Sequence, residues 1–469
     1  MRYLIPVLCL FIAIYGCKPE EEKFTYDSDT ALRFSTDTVF FDTVFTSVGS
    51  ITQRFKVYND NKNAVNIQDI SLSKASSSAY TVYINGRANS KFTDTRLLGE
   101  DSLLVLVEVM INPDDQDLPF IVTDELVFNT NDNIQDVKLV SWGQDANFLR
   151  DSVLTCDAVW TADRPYVIYN SILVDSLCSL TIEPGTKIYS HNTSYIFVKG
   201  SIKAEGEADN RISFTNDRLD YENVPGQWGG IIFLPGSKDN KISYSDIRNA
   251  EVGIYLGTPD DDNIADLELD GCTIENIGGV AEIPVSGGLV LPGYGVLAIT
   301  SDLTMYNTVV NNCAINAVGN YAGGNYIYDH CTFASYSFDF FREDPSVVFS
   351  DNLVLGNDQL LVSDLSVDLS NTIIWGNLRE EILLSNGGDA NFTLAMSHNL
   401  IRTSNEDLNA NDNIINEDPK FMNPGSNDYH LDTLSVAKDA GVNLGLTTDH
   451  DGNTRDNKPD IGAFERIEN

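Results

Sequence analysis

The turn Thr258-Pro259-Asp260-Asp261-Asp262-Asn263 puts three carboxylates side by side. Such a group can hold a divalent cation, or divide acid and base work between two of its members. No His, Lys or Arg stands close by in the sequence, so the turn reads as a solvated loop, with Ca²⁺ the cation it would take if it took one. The five histidines, His191, His330, His398, His430 and His450, share no spacing and read as surface or ladder residues rather than bases. Asp449-His450-Asp451-Gly452-Asn453 begins like a calcium loop but lacks the glycine at position six and the glutamate at position twelve. It reads as a structural turn. Cys156, Cys178, Cys272, Cys313 and Cys331 form no CxxC or CxxH pair, which argues against zinc; five cannot all pair, and most are expected to be small buried residues. No catalytic residue, metal ligand or cofactor is assigned.

Tyrosine offers different chemistry: an apolar ring face with a hydroxyl at its edge, a combination that suits sugars. Tyr321, Tyr326, Tyr328 and Tyr336 follow a Gly-rich insertion, Gly278 to Gly295, which contains Tyr294. Tyr326 and Tyr328 alternate as in a strand, so one side of that pattern is expected to pack inward. The ligand reading is a shallow groove bordered by 278–295, Tyr294 included, and floored by Tyr321 and Tyr336.

The chain that must position these groups has 469 residues, with 30 Lys and Arg against 69 Asp and Glu, a formal net charge of −39. Nucleic acid is excluded as a partner, because phosphate binding rests on cationic contacts. Acidic polysaccharides are repelled too, unless a divalent cation bridges the two sets of carboxylates. At 42% hydrophobic and 21% charged residues, most of the chain folds.

Residues 1–16 read as an export signal, with Arg2 and an apolar run from Leu4 to Ile14 that is too short to span a bilayer as a permanent helix, and no other stretch of about 18 apolar residues follows. Ile14-Tyr15-Gly16-Cys17 resembles a bacterial lipobox, which implies acylation of Cys17 and anchoring to a membrane. The acidic tract beginning Lys18-Pro19-Glu20-Glu21-Glu22 resembles the surface-export signal of Bacteroidetes lipoproteins, with 17–30 as a linker. The implied location is the outer membrane or cell surface.

Residues 31–145 carry short alternating strands such as Arg54 to Tyr58 and Leu103 to Ile111, separated by turn clusters such as Asn85-Gly86. That pattern predicts a β-sandwich and resembles immunoglobulin-like modules in architecture alone. From 146 to 415 a small or amide residue, a variable one and an apolar one recur, beginning at Ser245, Cys272, Asn307, Cys331, Asn352, Asn371 and Asn399. The starts lie 27, 35, 24, 21, 19 and 28 residues apart, which suits a solenoid of roughly ten coils with loops inserted in some. Stacked strands would bury one apolar position per coil, Ile274 and Ile373 among them, and closing asparagines would form amide ladders. The predicted fold is all-β: an immunoglobulin-like sandwich followed by a right-handed parallel β-helix.

Asp418-Pro419-Lys420-Phe421, Asp428-Tyr429-His430-Leu431, Asp439-Ala440-Gly441, Asp449 to Arg455 and Asp460-Ile461-Gly462-Ala463-Phe464-Glu465 follow one another toward the C-terminus. This order resembles the closing motif of bacterial surface proteins in the pectin-lyase-like β-helix superfamily, the choice-of-anchor Q type. The resemblance implies that 416–469 form the last coils and end cap. The superfamily includes polysaccharide lyases and glycoside hydrolases, yet neither a lyase base beside calcium carboxylates nor clustered Asp with Gly-His-Gly and Arg-x-Lys is present. The favoured reading is a non-catalytic surface protein that binds a glycan or another surface protein. The alternative is a carbohydrate-active enzyme, lyase or hydrolase, with an unfamiliar site.

Overall fold

The computed structural model describes residues 22–45, 49–111, 120–218, 221, 223–260, 262–279, 290–336, 341–354 and 359–467. The signal segment, Cys17, nearly all of the acidic tract, Asp261 and residues 280–289 of the Gly-rich insertion lie outside the described residues. Among the described residues there is no α-helix, and no helix long and apolar enough to cross a membrane. The chain divides into two compact units, Met1–Asp145 and Ala146–Asn469.

Period-two alternation builds the first unit. In Ser102–Val109 every second side chain, from Leu103 to Val109, is buried. Two five-stranded sheets result, and all their pairings are antiparallel except that of Thr38–Phe45 with Asn133–Gln144. Val57, Ile67, Ile70, Val105, Phe128 and Leu139 fill the space between them. Asn85-Gly86, both at positive φ (52° and 73°), makes the two-residue turn between Tyr80–Ile84 and Arg87–Asn89, a geometry these residues adopt at little steric cost.

The second unit is a parallel β-helix. Each coil lays one short strand on each of three faces. Leu267–Asp270, Thr273–Ile277 and Val296–Ile299 make one coil, and Leu303–Tyr306 opens the next. Among the described residues the first face has nine strands, from Ala158–Trp160 to Phe392–Ser397. The long strand Tyr166–Val174 feeds both other faces, pairing through Tyr166–Ile168 with Lys187–Ser190 and through Ser171–Val174 with Tyr195–Val198. In-register stacking sends Ile247, Ile274, Val310, Phe333 and Ile374 of the second face into the bore, all with no exposed surface. A disulfide joins Cys156 to Cys178, while Cys272, Cys313 and Cys331 are free and buried.

The corners explain much of the Asn and His content. Between first and second faces the chain turns through one left-handed residue per coil: Tyr244, Gly271, Asn307, His330, Asn371 and His398, with φ between 41° and 62°. Between second and third faces the expected amide ladder forms. Asn249 Nδ2 donates to Asn216 Oδ1 (2.8 Å), Asn276 to Asn249 (3.3 Å) and Asn312 to Asn276 (2.7 Å).

The closing segment differs from the expected end cap. It runs back along the outside of the second face as a strap. Phe421, Tyr429, Leu431, Ala437, Ile461 and Phe464 cluster with Val309, Ala334, Ile373 and Leu400, which belong to four different coils. Arg455 donates to Asn307 Oδ1 (2.9 Å), and Asn371 Nδ2 to Val442 O (2.7 Å). Ile373, expected in the bore, therefore faces outward and is buried beneath the strap; Ile374 takes the inner position.

Candidate functional site

Every coil must also turn from the third face back to the first, and here an acidic or amide residue recurs just before the first-face strand. Asp266 precedes Leu267, Asp302 precedes Leu303, Asp364 precedes Leu365 and Asn391 precedes Phe392. Turning the chain leaves backbone N–H groups without a ladder partner, and these side chains accept them across coils. Asp266 Oδ2 accepts the N–H of Asp302 (3.0 Å), Asp302 Oδ1 that of Asn325 (2.7 Å), and Asp364 Oδ1 that of Asn391 (2.9 Å). Coils approach so closely at this corner that a Cβ on Gly324, at φ 116°, would lie 2.2 Å from Ser301 O. Only glycine fits.

Thr258, Asp260, Asp262 and Asn263 stand beside this column and help make it a trough of ≈ 700 Å³ that runs across five consecutive coils. Thr258, Asp260, Asp262 and Asn263 line one end, Asp302 and Asn325 the middle, and Asp364, Ser366, Asn391 and Thr393 the other. Five coils at about 4.8 Å per step give a length of about 19 Å. Thr258 and Asn263 are tied to the column: Thr258 Oγ1 donates to Asp266 Oδ2 (2.7 Å), and Asn325 Nδ2 donates to Asn263 Oδ1 (3.0 Å).

Electrostatics follow from crowding like charges at a half-buried corner. Burial first, then the neighbouring Asp260 and Asp302 charges, push the Asp266 carboxyl up to about 6. Burial, with Asp260 and Asp262 behind it, raises Asp302. Asp364 is held low by the hydrogen bonds from Asn391. Asp260, Asp262 and Asp302 each offer an oxygen within 4.8 Å of the others, and they are the residues that could hold a divalent cation. Among the described residues the trough has no Lys, Arg or His in its lining. The sequence pattern had reached Asp260 and Asp262 but not Asp302, Asn325, Asp364 or Asn391; the readable signal was the Asp or Asn that opens successive first-face strands.

The tyrosines are distributed differently. Tyr326 and Tyr328 point into the bore, 1% and 0% exposed. Tyr294 is buried and meets Tyr321 edge-on at 6.5 Å, in a cluster with Leu291 and Leu297 on the outside of the third face. Tyr336 belongs to another cluster, packed on Phe421 and Tyr429 under the strap. Burial raises all three hydroxyls. The structure thus brings Tyr294 to Tyr321 and does not join Tyr336 to them as one groove floor.

The histidines have separate partners: His191 lies 2.8 Å from Asp217, and His398 is a corner residue. His330 is a buried corner residue bonded to Asn371 (2.8 Å) and lowered to about 3, chiefly by burial. His450 is buried against Asn307 O (3.0 Å) and lowered to about 4 for the same reason. His430 is bracketed by Asp451 and Asp428 and raised to about 9, Asp451 contributing most.

A family model described as a pectate-lyase-like beta helix domain matches residues 152–270. A β-helix of this type fits a glycan-related role. No curated protein matches the chain. Among solved structures, the VesB protease of Vibrio cholerae is 14% identical over 25% of this chain and 32% of its own, with a TM-score of 0.18. A Porphyromonas gingivalis W83 protein of unknown function is 13% identical over 27% and 60%, with a TM-score of 0.18. The ASH/PapD-like domain of human CEP192 is 12% identical over 28% and 93%, with a TM-score of 0.17. The chain therefore spans less than two thirds of the first two, and likenesses this slight carry no argument.

Proposed function

We propose that this protein is a lipid-anchored surface protein whose β-helix binds a glycan along the trough at the third corner, without cleaving it. The observation that carries the reading is the trough's lining: carboxylate, amide and hydroxyl groups repeated over five coils, suited to many hydrogen bonds with an extended polyhydroxylated chain. A lyase or hydrolase step needs a proton donor or base poised at the bond that breaks. Asp302, the buried carboxylate of the lining, instead accepts the backbone N–H and the side-chain Nδ2 of Asn325 through Oδ1. The acidic lining favours a neutral glycan. An acidic one would need a cation between it and Asp260, Asp262 and Asp302.

The test uses a soluble form beginning at Lys23, applied to a panel of neutral and acidic polysaccharides with and without a chelator. Retention without new reducing ends or unsaturated uronates is the expected result. Asp260→Ala combined with Asn391→Ala, both exposed, should weaken retention about tenfold, or about 1.4 kcal/mol, with unchanged melting. Cleavage products would replace this reading with the enzyme reading. That reading has one observation in its favour: Asp302, a carboxyl raised by burial, lines the trough.

Anchoring rests on the lipobox-like Gly16-Cys17 after the apolar run. Cys17→Ala is expected to release the protein from the membrane fraction and to abolish fatty-acid labelling. Membrane retention with label in that variant would disprove the anchor.

A further inference from the structure

The trough is not uniform along its length. Ser366, Asn391 and Thr393 offer amide and hydroxyl groups toward one end, whereas Asp260, Asp262 and Asp302 converge toward the other, each with an oxygen within 4.8 Å of the other two. In each of these carboxylates one oxygen is committed. Asp260 Oδ1 accepts the N–H of Asp262 (3.1 Å) and Asp262 Oδ1 that of Ile264 (2.9 Å). Asp302 Oδ1 accepts both the N–H and the Nδ2 of Asn325 (2.7 and 2.9 Å). Among the described residues no protein donor reaches the three Oδ2 atoms. Asp302 is 5% exposed and lines the trough, so its Oδ2 is an acceptor that only an occupant of the trough can satisfy.

No Lys, Arg or His among the described lining residues offsets these charges. Burial and the charges of Asp260 and Asp262 raise the Asp302 carboxyl, as like charges without a counter-charge must. Three open acceptors and an uncompensated negative charge define what fits. An ammonium brings one positive charge and three N–H donors. At charge-assisted distances its three acceptors would stand about 4.6 Å apart, which agrees with the spread of these carboxylates. A calcium ion takes about six to eight oxygens and would have to draw half or more of them from water.

We infer that the glycan bound in the trough carries a free amine, and that its ammonium sits among Asp260, Asp262 and Asp302. This rests on the trough being the glycan site. The lining that favours a neutral glycan over an acidic one favours an amino sugar over both, because the ammonium relieves the repulsion that a neutral unit leaves in place. Ser366, Asn391 and Thr393 remain for the hydroxyls of the following units.

Calorimetric titration of the whole protein, in chelator and at a mildly acidic pH where the amine is charged, compares tetramers of glucosamine, N-acetylglucosamine and glucose that share one linkage. The glucosamine tetramer should bind at least about tenfold more tightly than either other, and added salt should narrow the difference. Asp260→Asn with Asp262→Asn keeps both Oδ1 acceptors and removes two charges at exposed positions. In that variant the glucosamine and glucose tetramers should bind within about twofold of each other. Asn391→Ala, at the other end, should weaken both and keep their ratio. The inference fails if the N-acetylated or the glucose tetramer binds as tightly as the amine, or if the preference survives the double Asn variant. It fails equally if calcium binds the parent more tightly than the glucosamine tetramer does and loses that site in the double Asn variant, since the carboxylates would then be a metal site. Equal binding of all three tetramers would sink the ammonium and leave the trough a glycan site; retention of no glycan at all, in this series or the wider panel, would sink both.

Discussion

Glu381→Ala is expected to destabilise the β-helix by about 3–5 kcal/mol, read as a shift in the urea midpoint. Glu381 and Arg342 form an ion pair whose side chains are 0% and 1% exposed, with Nη2 to Oε1 at 2.8 Å. The carboxylate also accepts the N–H groups of Leu378 (2.8 Å) and Ser346 (3.0 Å), so one side chain serves a guanidinium and two backbone donors at the second-to-third-face corner of adjacent coils. Alanine removes all three acceptor contacts and leaves the Arg342 charge buried without its carboxylate. Replacing both partners, Arg342→Met with Glu381→Leu, removes the charge as well and should cost far less than the single change. Equal costs for the single and double variants would show that the pair is not what holds this corner.

Ile274→Asp is expected to cost on the order of 5 kcal/mol, the lost burial of a core aliphatic added to the burial of a polar group with no partner. Ile274 has no exposed surface and lies between Ile247 and Val310 in the second-face column. A solenoid couples each coil mainly to its neighbours, so the break should appear as a separate early transition in the circular-dichroism melt. The matching change one face outward, Ile373→Asp, should act differently, because Ile373 lies under the strap. Its main effect should be strap release, seen as faster proteolysis within 416–467 while the strand signal persists. An unchanged melt for Ile274→Asp would rule out the stacking described here.

Recurring short-range patterns made both units legible in the sequence. Alternation in Leu103 to Val109 specifies a half-buried strand whatever surrounds it, and Asn85-Gly86 specifies its tight turn. Repeated triplets such as Cys272-Thr273-Ile274 specify coils, because each must present the same apolar side chain to the same bore. Asn249 and Asn276 foretold the amide ladder for a related reason: a residue that suits one left-handed corner suits the next. All of these signals act within one coil or between neighbours.

What the sequence did not show depends on which distant segments come to lie over one another. In Val309-Val310 and Ile373-Ile374 two adjacent residues are apolar, and only the strap explains why: one side chain enters the bore while the other is covered from outside by residues up to 155 positions away, from Val309 to Phe464. A segment that supplies its own turns and a compact motif reads equally well as an end cap or a strap, since nothing local records the surface it covers. Likewise Asp302, Asn325, Asp364 and Asn391 are separated by unequal insertions, so no spacing marks them as one site. They become one trough because parallel stacking cancels the length of every loop and returns each first-face strand to the same edge, about 4.8 Å above the last.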